Sequence, residues 1–175
     1  MTEDRPGNSR VLIALFRHNT WANLRLLDFC ARLSDEQLDT GGVGVYGTIS
    51  ATLLHIVRAE VGYVHRVNGK WPAEEVPEDP FPGFRVLKDT VRWSGEELPQ
   101  LALAARAETL VRETEPGDPV GYEFPLSGLL FQAINHATEH RAQISAIITQ
   151  LGIEPPEMDG WVYMEETGQA HEFQV

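Results

Sequence analysis

Apolar residues recur every three to four positions through most of the chain, which is the period of an amphipathic α-helix. The pattern predicts four long helices, over residues 9–33, 48–67, 84–112 and 125–151. Pro99 lies inside the third helix and is expected to kink it. Only residues 122–124 indicate a short extended piece, so the predicted fold is all-α, a four-helix bundle.

The connection between the second and third predicted helices indicates how the bundle is arranged. Residues 69–83 contain four prolines, a spacing that no helix tolerates. So long a connection is uncommon between antiparallel neighbours, which need only a short loop. It suits a crossover between helices that run the same way, so we expect an up-down-down-up bundle. Residues 1–175 are expected to form one domain.

Charge and composition argue against several classes of function. The formal net charge is −12, and an acidic surface repels phosphate backbones, so nucleic-acid binding is not expected. No apolar run reaches the roughly 18 residues of a membrane span, and the polar N-terminal residues do not resemble a signal peptide. The chain is therefore expected to be cytoplasmic. Cys30, the only cysteine, cannot form an internal disulfide and is expected to be a small buried hydrophobe.

The candidate chemistry is concentrated in the last predicted helix, where His136 and His140 stand four residues apart. Positions i and i+4 lie one turn apart on one helical face, so two imidazoles there can hold one metal ion. The alternative is a pair of core histidines, each hydrogen-bonded to a neighbouring helix. A third ligand from a facing helix would distinguish the two interpretations.

His55 is the best candidate for the third ligand. It lies on the inner side of the second helix, where small residues leave room around it. It is ~10 Å from the start of its helix, and His140 is ~15 Å from the end of the last helix, so antiparallel packing puts both at a similar level. His18 stays open as a fourth ligand or a polar lining group. His65 is expected to be partly exposed, and His171 to be solvated.

Three neutral imidazoles without a carboxylate suit Zn²⁺, Ni²⁺, Fe²⁺ or Mn²⁺. Three protein ligands leave coordination positions open, which is typical of catalytic sites. The ion would keep its 2+ charge and would acidify a bound water or thiol. Glu60 and Glu139 neighbour the histidines in sequence, but their helical angles place them off the ligand face. We expect both to be solvated surface charges that at most support the ligands from outside.

Three segments of the chain resemble the DinB-like (DinB/YfiT) metalloenzymes. Residues 21–28 (WANLRLLD) and 33–38 (LSDEQL) resemble the first helix of that family, and residues 52–60 (TLLHIVRAE) its second helix. Residues 135–144 (NHATEHRAQI) are similar to its His-x-x-x-His-Arg-Gly-Gln motif. Ala142 replaces the motif glycine, which a helix tolerates, and His18 stands where relatives often carry tyrosine. The order and spacing of the segments match the family over nearly the whole chain.

The resemblance implies a metal held by His55, His136 and His140, and it implies that homodimers are common. Characterised relatives include thiol-S-transferases that use low-molecular-weight bacterial thiols and a mycothiol-dependent isomerase. The first hypothesis is therefore a metal-dependent thiol-S-transferase acting on a small-molecule thiol and an electrophile. The second is a metal-dependent hydrolase, ranked lower because no carboxylate is obviously placed as its base. The third is a metal-binding stress protein that is not an enzyme.

Overall fold

Four long helices carry most of the chain, as the apolar pattern predicts. The computed structural model describes residues 6–106, 108–114, 117 and 119–174, with side chains from residue 10 onward in the first helix. The long helices are α1 (Pro6–Cys30), α3 (Ile49–Asn68), α4 (Phe84–Ala104) and α5 (Leu126–Gln150). The short elements are α2 (Asp35–Leu38), β1 (Leu110–Glu113), β2 (Tyr122–Pro125) and α6 (Gly160–Glu166).

The boundaries of the ligand-bearing helix α3 follow from the local sequence. Thr48 precedes the helix, and its side chain accepts a hydrogen bond from the backbone N–H of Ala51. Gly69 follows it with a φ of 74°, a left-handed conformation that residues with a Cβ adopt only at a cost. Both ends of α3 are therefore fixed by single residues, and His55 takes a defined place in its second turn.

The third long helix is shorter than its predicted span of 84–112, which is wrong at the C-terminal end. It continues through Pro99 but ends at Ala104, and β1 then pairs antiparallel with β2. Val111 is the buried residue of β1, whereas its neighbour Leu110 is exposed. A strand of four residues is too short for its period to be told from that of a helix, which explains the error. The predicted extended piece at 122–124 is confirmed as part of β2.

Two clusters of buried apolar side chains define the direction of each long helix. One cluster combines the C-terminal halves of α1 and α5 with the N-terminal halves of α3 and α4, and the other combines the opposite halves. The helices α1 and α5 therefore run one way and α3 and α4 the other, which confirms the up-down-down-up bundle. Representative members are Leu27, Leu53, Leu87 and Ile147 in the first cluster and Phe16, Val64, Leu98 and Leu130 in the second.

The segment between Asn68 and Phe84 is the predicted crossover, since it joins two helices that run in the same direction. None of the helices in the described part of the chain is long and apolar enough to span a membrane. Residues 1–5, on which part of the expectation of no signal peptide rests, lie outside the described residues. The cytoplasmic location and the single-domain organisation stay predictions.

Candidate metal centre

The helices α3 and α5 bring together the three histidines that the sequence singles out. His55 comes from α3, and His136 and His140 come from the antiparallel α5. Each offers one ring nitrogen, and the three atoms lie within 4.8 Å of one another. The Nε2 atoms of His55 and His136 are 2.9 Å apart. Nitrogens that share a tetrahedral ion are about 3.3 Å apart, so a small side-chain shift would fit the cluster to an ion.

Gln143 fixes the orientation of His140. Its Oε1 accepts a hydrogen bond from the backbone N–H of Tyr46 at 3.2 Å and lies 2.9 Å from Nδ1 of His140. Because an amide oxygen only accepts, Nδ1 of His140 is the donor in this contact. Nε2 of His140 is then the nitrogen with a free lone pair, which is the state a metal ligand requires.

Tyr46 reaches the cluster from the connector that precedes α3. Its ring stacks on the ring of His55, with centroids 3.9 Å apart and an interplanar angle of 17°. It also meets the ring of His140 edge-on at 5.3 Å. The sequence pattern identifies this glycine-rich stretch only as a flexible connector. Tyr46 and Gln143 are 97 positions apart, and no local pattern indicates their contact.

Burial and mutual proximity favour the neutral form of the imidazoles. Burial, reinforced by the neighbouring His140 and His55, lowers the pKa of His136 to about 4. Burial, His140 and the positive charge of Arg58 lower the pKa of His55. Neutral imidazole is the form that binds metal ions, so protons do not compete for these two side chains near pH 7.

The remaining histidines lie outside this cluster. Nε2 of His18 is 2.9 Å from the backbone carbonyl of Met158, and its ring packs between α1 and α6. His18 is therefore engaged elsewhere and is not part of the group that could hold an ion. His65 is partly buried and stacks on Trp71, and His171 is exposed, as predicted for both.

A comparison with protein families settles the relationship suggested by the three segments. The sequence model of the family described as "DinB family" matches residues 7–172 of this chain. The chain belongs to the DinB family. The curated Protein DinB of Bacillus subtilis (strain 168) is 23% identical to it over 161 residues, which cover 86% of this chain and 91% of that protein.

A solved structure supports the fold of this DinB family member. It is the crystal structure of a DinB-like protein from Bacillus cereus ATCC 10987, with a TM-score of 0.56 and 23% sequence identity. The alignment covers 80% of this chain and 90% of that chain. At this level of identity the similarity concerns the fold alone.

Glu60 of this DinB chain is not the solvated surface charge that its helical angle predicts. Only 2% of the residue is exposed. Its Oε1 accepts hydrogen bonds from the side-chain amides of Asn19 at 2.7 Å and Asn23 at 2.8 Å. Its Oε2 accepts a hydrogen bond from the hydroxyl of Ser94 at 2.5 Å. Arg141 donates to Oδ1 of both asparagines, at 2.7 and 2.6 Å, and completes a buried network across all four long helices.

This buried network links the two helices that carry the histidines. Arg141 directly follows His140, and Glu60 lies five residues after His55. Burial lowers the pKa of Arg141 to about 10, and the charge of Glu60 opposes that shift. Burial raises the pKa of Glu60, although its hydrogen-bond donors and Arg141 favour the carboxylate. Glu139, the other acidic candidate, is exposed as predicted.

A groove of about 1440 Å³ opens beside the histidines of this DinB chain, with His55 and His136 in its wall. Residues of α3 run along it, and residues of the crossover and of the start of α5 form its sides. Its size is sufficient for a small-molecule ligand, and it leaves His55 and His136 accessible from outside, whereas His140 is buried behind them. Other lining residues used below are Arg58, Tyr63, Arg66, Glu75, Glu78 and Asp79.

Replacing Gln143 with leucine should weaken metal binding by about 10- to 100-fold, because His140 loses the partner that fixes its tautomer and ring orientation. Isothermal titration of metal-free protein with Zn²⁺ measures the change. Gln150→Leu is the matched control, since Gln150 is exposed at the end of the same helix. Equal affinities of the two variants would contradict the role of Gln143.

The metal-free protein should lose stability through His136 as the pH falls from about 6.5 to about 4. In that window the unfolded chain binds a proton at this imidazole and the folded chain does not, so acid favours unfolding. His136→Asn removes that linkage. Between about pH 7 and about pH 5, the free energy of unfolding measured in urea should therefore fall less for the variant than for the wild type. A difference that does not change with pH would contradict the lowered pKa of His136.

Proposed function

We propose that this DinB family member is a metal-dependent thiol-S-transferase that uses a low-molecular-weight thiol. His55, His136 and His140 would hold one divalent ion of Zn, Ni, Fe or Mn. The observation that carries the proposal is the convergence of three imidazole nitrogens, two of which belong to histidines in the wall of an accessible groove, His55 and His136. An ion bound by neutral ligands keeps its 2+ charge and lowers the pKa of a thiol that reaches it.

The thiol would have to come from solution, because the chain's own cysteine is unsuited to the reaction. Cys30 is 0% exposed and lies in an apolar cluster that includes Leu27 and Leu53. Burial raises the pKa of its thiol to about 12. Since the thiolate is the nucleophile, Cys30 stays protonated and enclosed at neutral pH. The groove beside the histidines supplies the access that Cys30 lacks.

Besides Tyr46, the groove has a second tyrosine close to the histidines, Tyr63. Its ring meets that of His136 edge-on, with centroids 6.1 Å apart. Burial raises the pKa of Tyr63, so its hydroxyl stays protonated and able to donate at neutral pH. A hydroxyl in this position would orient the electrophile by donating a hydrogen bond to it.

The hydrolase alternative lacks a general base close to the ion. In the described part of the chain, the group that could hold a metal consists of the three histidines without a carboxylate. Glu60, the nearest acidic residue along α3, has both oxygens occupied by the buried network. A metal-binding stress protein without catalysis would suit a closed and dry site, which the open groove disfavours. The homodimer and the role in stress response stay predictions.

The proposal is tested by loading the purified protein with each candidate metal and supplying a thiol with chlorodinitrobenzene. The thiolate displaces chloride from the ring carbon, forming a C–S bond, breaking the C–Cl bond and releasing a proton to the buffer. Cysteine, glutathione and mycothiol serve as thiols, and thioether formation is followed by absorbance. We expect metal-dependent turnover that His136→Ala abolishes. Rates no higher than those of His136→Ala, with every one of these metals and thiols, would contradict the transferase.

A further inference from the structure

We propose that the groove selects a ligand that carries a carboxylate, and that Arg58 binds this carboxylate while the thiol of the same molecule reaches the three-histidine cluster. This inference rests on the proposed function and adds the chemical class of its thiol. It makes Arg58 a specificity-determining residue, distinct from the candidate metal ligands. The reasons are the place of Arg58 in the groove, the weakness of its present ion pair and the charges around it.

Arg58 is placed to contact a molecule whose other end lies at the histidines. It follows His55 by three residues on α3, so the two side chains lie on neighbouring parts of one helical face, ~4.5 Å apart along the axis. Both residues line the groove. The side chain of Arg58 is 37% exposed, so part of it is accessible to a ligand. A ligand of a few bonds' length can therefore reach both positions.

The charge of Arg58 is only loosely satisfied within the protein. Among the described residues, its closest approach to a carboxylate is 3.8 Å, to Glu78, whose side chain is 91% exposed. Such a long, solvated pair contributes little, so a ligand can displace it at low cost. Arg66 is the other arginine of the groove, but its Nε donates a close hydrogen bond to Glu113, which is largely covered. Arg58 is thus the groove arginine with the weaker ion pair, and its guanidinium donors can turn to a planar carboxylate at a lower cost than those of Arg66.

The remaining charges of the groove favour a single carboxylate over a phosphate-rich ligand. Glu75, Glu78 and Asp79 line its crossover side, and the whole chain has a net charge of −12. Several negative charges on one ligand would be repelled by these carboxylates. Acidic residues outnumber the two arginines in the groove, since Asp39 and Glu113 also line it, so a single carboxylate is favoured only in direct contact with Arg58. The ligand class is therefore a small thiol with a carboxylate and no phosphate.

The test measures thiol binding to the Co²⁺-loaded protein, because sulfur-to-cobalt absorption reports binding without any turnover. Two matched pairs of probes differ only in the charged group: mercaptopropionate with mercaptopropionamide, and mercaptohexanoate with mercaptohexanamide. We expect the carboxylate of at least one pair to bind about three- to tenfold more tightly than its amide. Arg58→Ala should abolish that preference, and Arg58→Lys should keep part of it.

The control is Arg92→Ala, which removes one positive charge from the exposed face of α4, away from the groove. It should leave the preference unchanged. The role of Arg58 would be overturned if the wild type bound acids and amides equally, or if the preference for acids survived Arg58→Ala. Neither result would contradict the proposed transferase. A cobalt-loaded protein on which no thiol gives the absorption would overturn both. An equal loss of preference in Arg92→Ala would assign the effect to overall charge and would also overturn the role of Arg58.

Discussion

Replacing His136 with alanine should reduce the affinity of the chain for divalent metals by more than about a hundredfold. Groups that merely support a metal ligand are worth 10- to 100-fold, so the loss of a ligand exceeds that range. The ring of His136 is next to those of both His55 and His140, so its loss removes one of three mutually adjacent ligands. Equilibrium dialysis of the metal-free proteins against Zn²⁺, followed by elemental analysis, measures the change.

The matched controls for this variant are His18→Ala and His65→Ala. Each removes one histidine that the structure places outside the cluster, against Met158 and Trp71 respectively. Both should retain about one bound ion per chain. If His136→Ala retained the ion and His18→Ala lost it, the ion would be bound by a different set of ligands, and the prediction would be wrong.

Replacing Glu60 with alanine should lower the free energy of unfolding by about 3–5 kcal/mol. The variant leaves Arg141, which is 4% exposed, as a buried charge without its counterion. It also removes the acceptor of the amide groups of Asn19 and Asn23 and of the Ser94 hydroxyl. Urea unfolding of the metal-free proteins measures the loss without a contribution from bound metal.

Glu139→Ala is the matched control, because Glu139 is exposed although it lies between two candidate ligands. It should change the free energy of unfolding by no more than about 0.5 kcal/mol. The double variant Glu60→Leu with Arg141→Met should recover part of the stability, because it removes both buried charges at once. A loss in Glu60→Ala as small as that in Glu139→Ala would contradict the account of the buried network.

The bundle and the histidine cluster could be predicted because both depend on short-range regularities. The helical period is readable within each segment, and the spacing of His136 and His140 places them on one face wherever the helix packs. The long, proline-rich crossover indicates that α3 and α4 run in the same direction. Once those directions are known, the depths of His55 and His140 along antiparallel helices coincide.

The buried network was missed although the sequence contains a signal for it. Glu60 shares a helical stripe with Val57 and Val64, and Arg141 shares one with Ala137 and Ile144. A charged residue inside an apolar stripe indicates either a mistaken stripe or a buried partner of opposite charge. The helical angle between Glu60 and His55 predicts only that Glu60 lies off the ligand face, whereas its place in the apolar stripe decides its burial. Asn19 and Asn23 occupy core positions of α1 in the same way.

The contact of Tyr46 with the histidines and the pairing of β1 with β2 depend on information that no local pattern holds. Tyr46 lies in a glycine-rich connector, and its partner Gln143 is almost a hundred residues away. β1 becomes a strand because Tyr122–Pro125 supplies its hydrogen-bond partners. Such elements are decided by tertiary packing and not by propensity.

The measurement that tests the central claim most directly is a crystal structure of the metal-loaded protein, purified without a histidine tag, with data at the absorption edge of the metal. The account predicts one anomalous peak per chain with a ring nitrogen of His55, His136 and His140 each about 2.0–2.2 Å away. Absence of a peak there after incubation with Zn²⁺, Ni²⁺, Fe²⁺ and Mn²⁺, or a peak bound by other residues, would contradict it. The three histidines would then be polar side chains that pack against one another in the bundle.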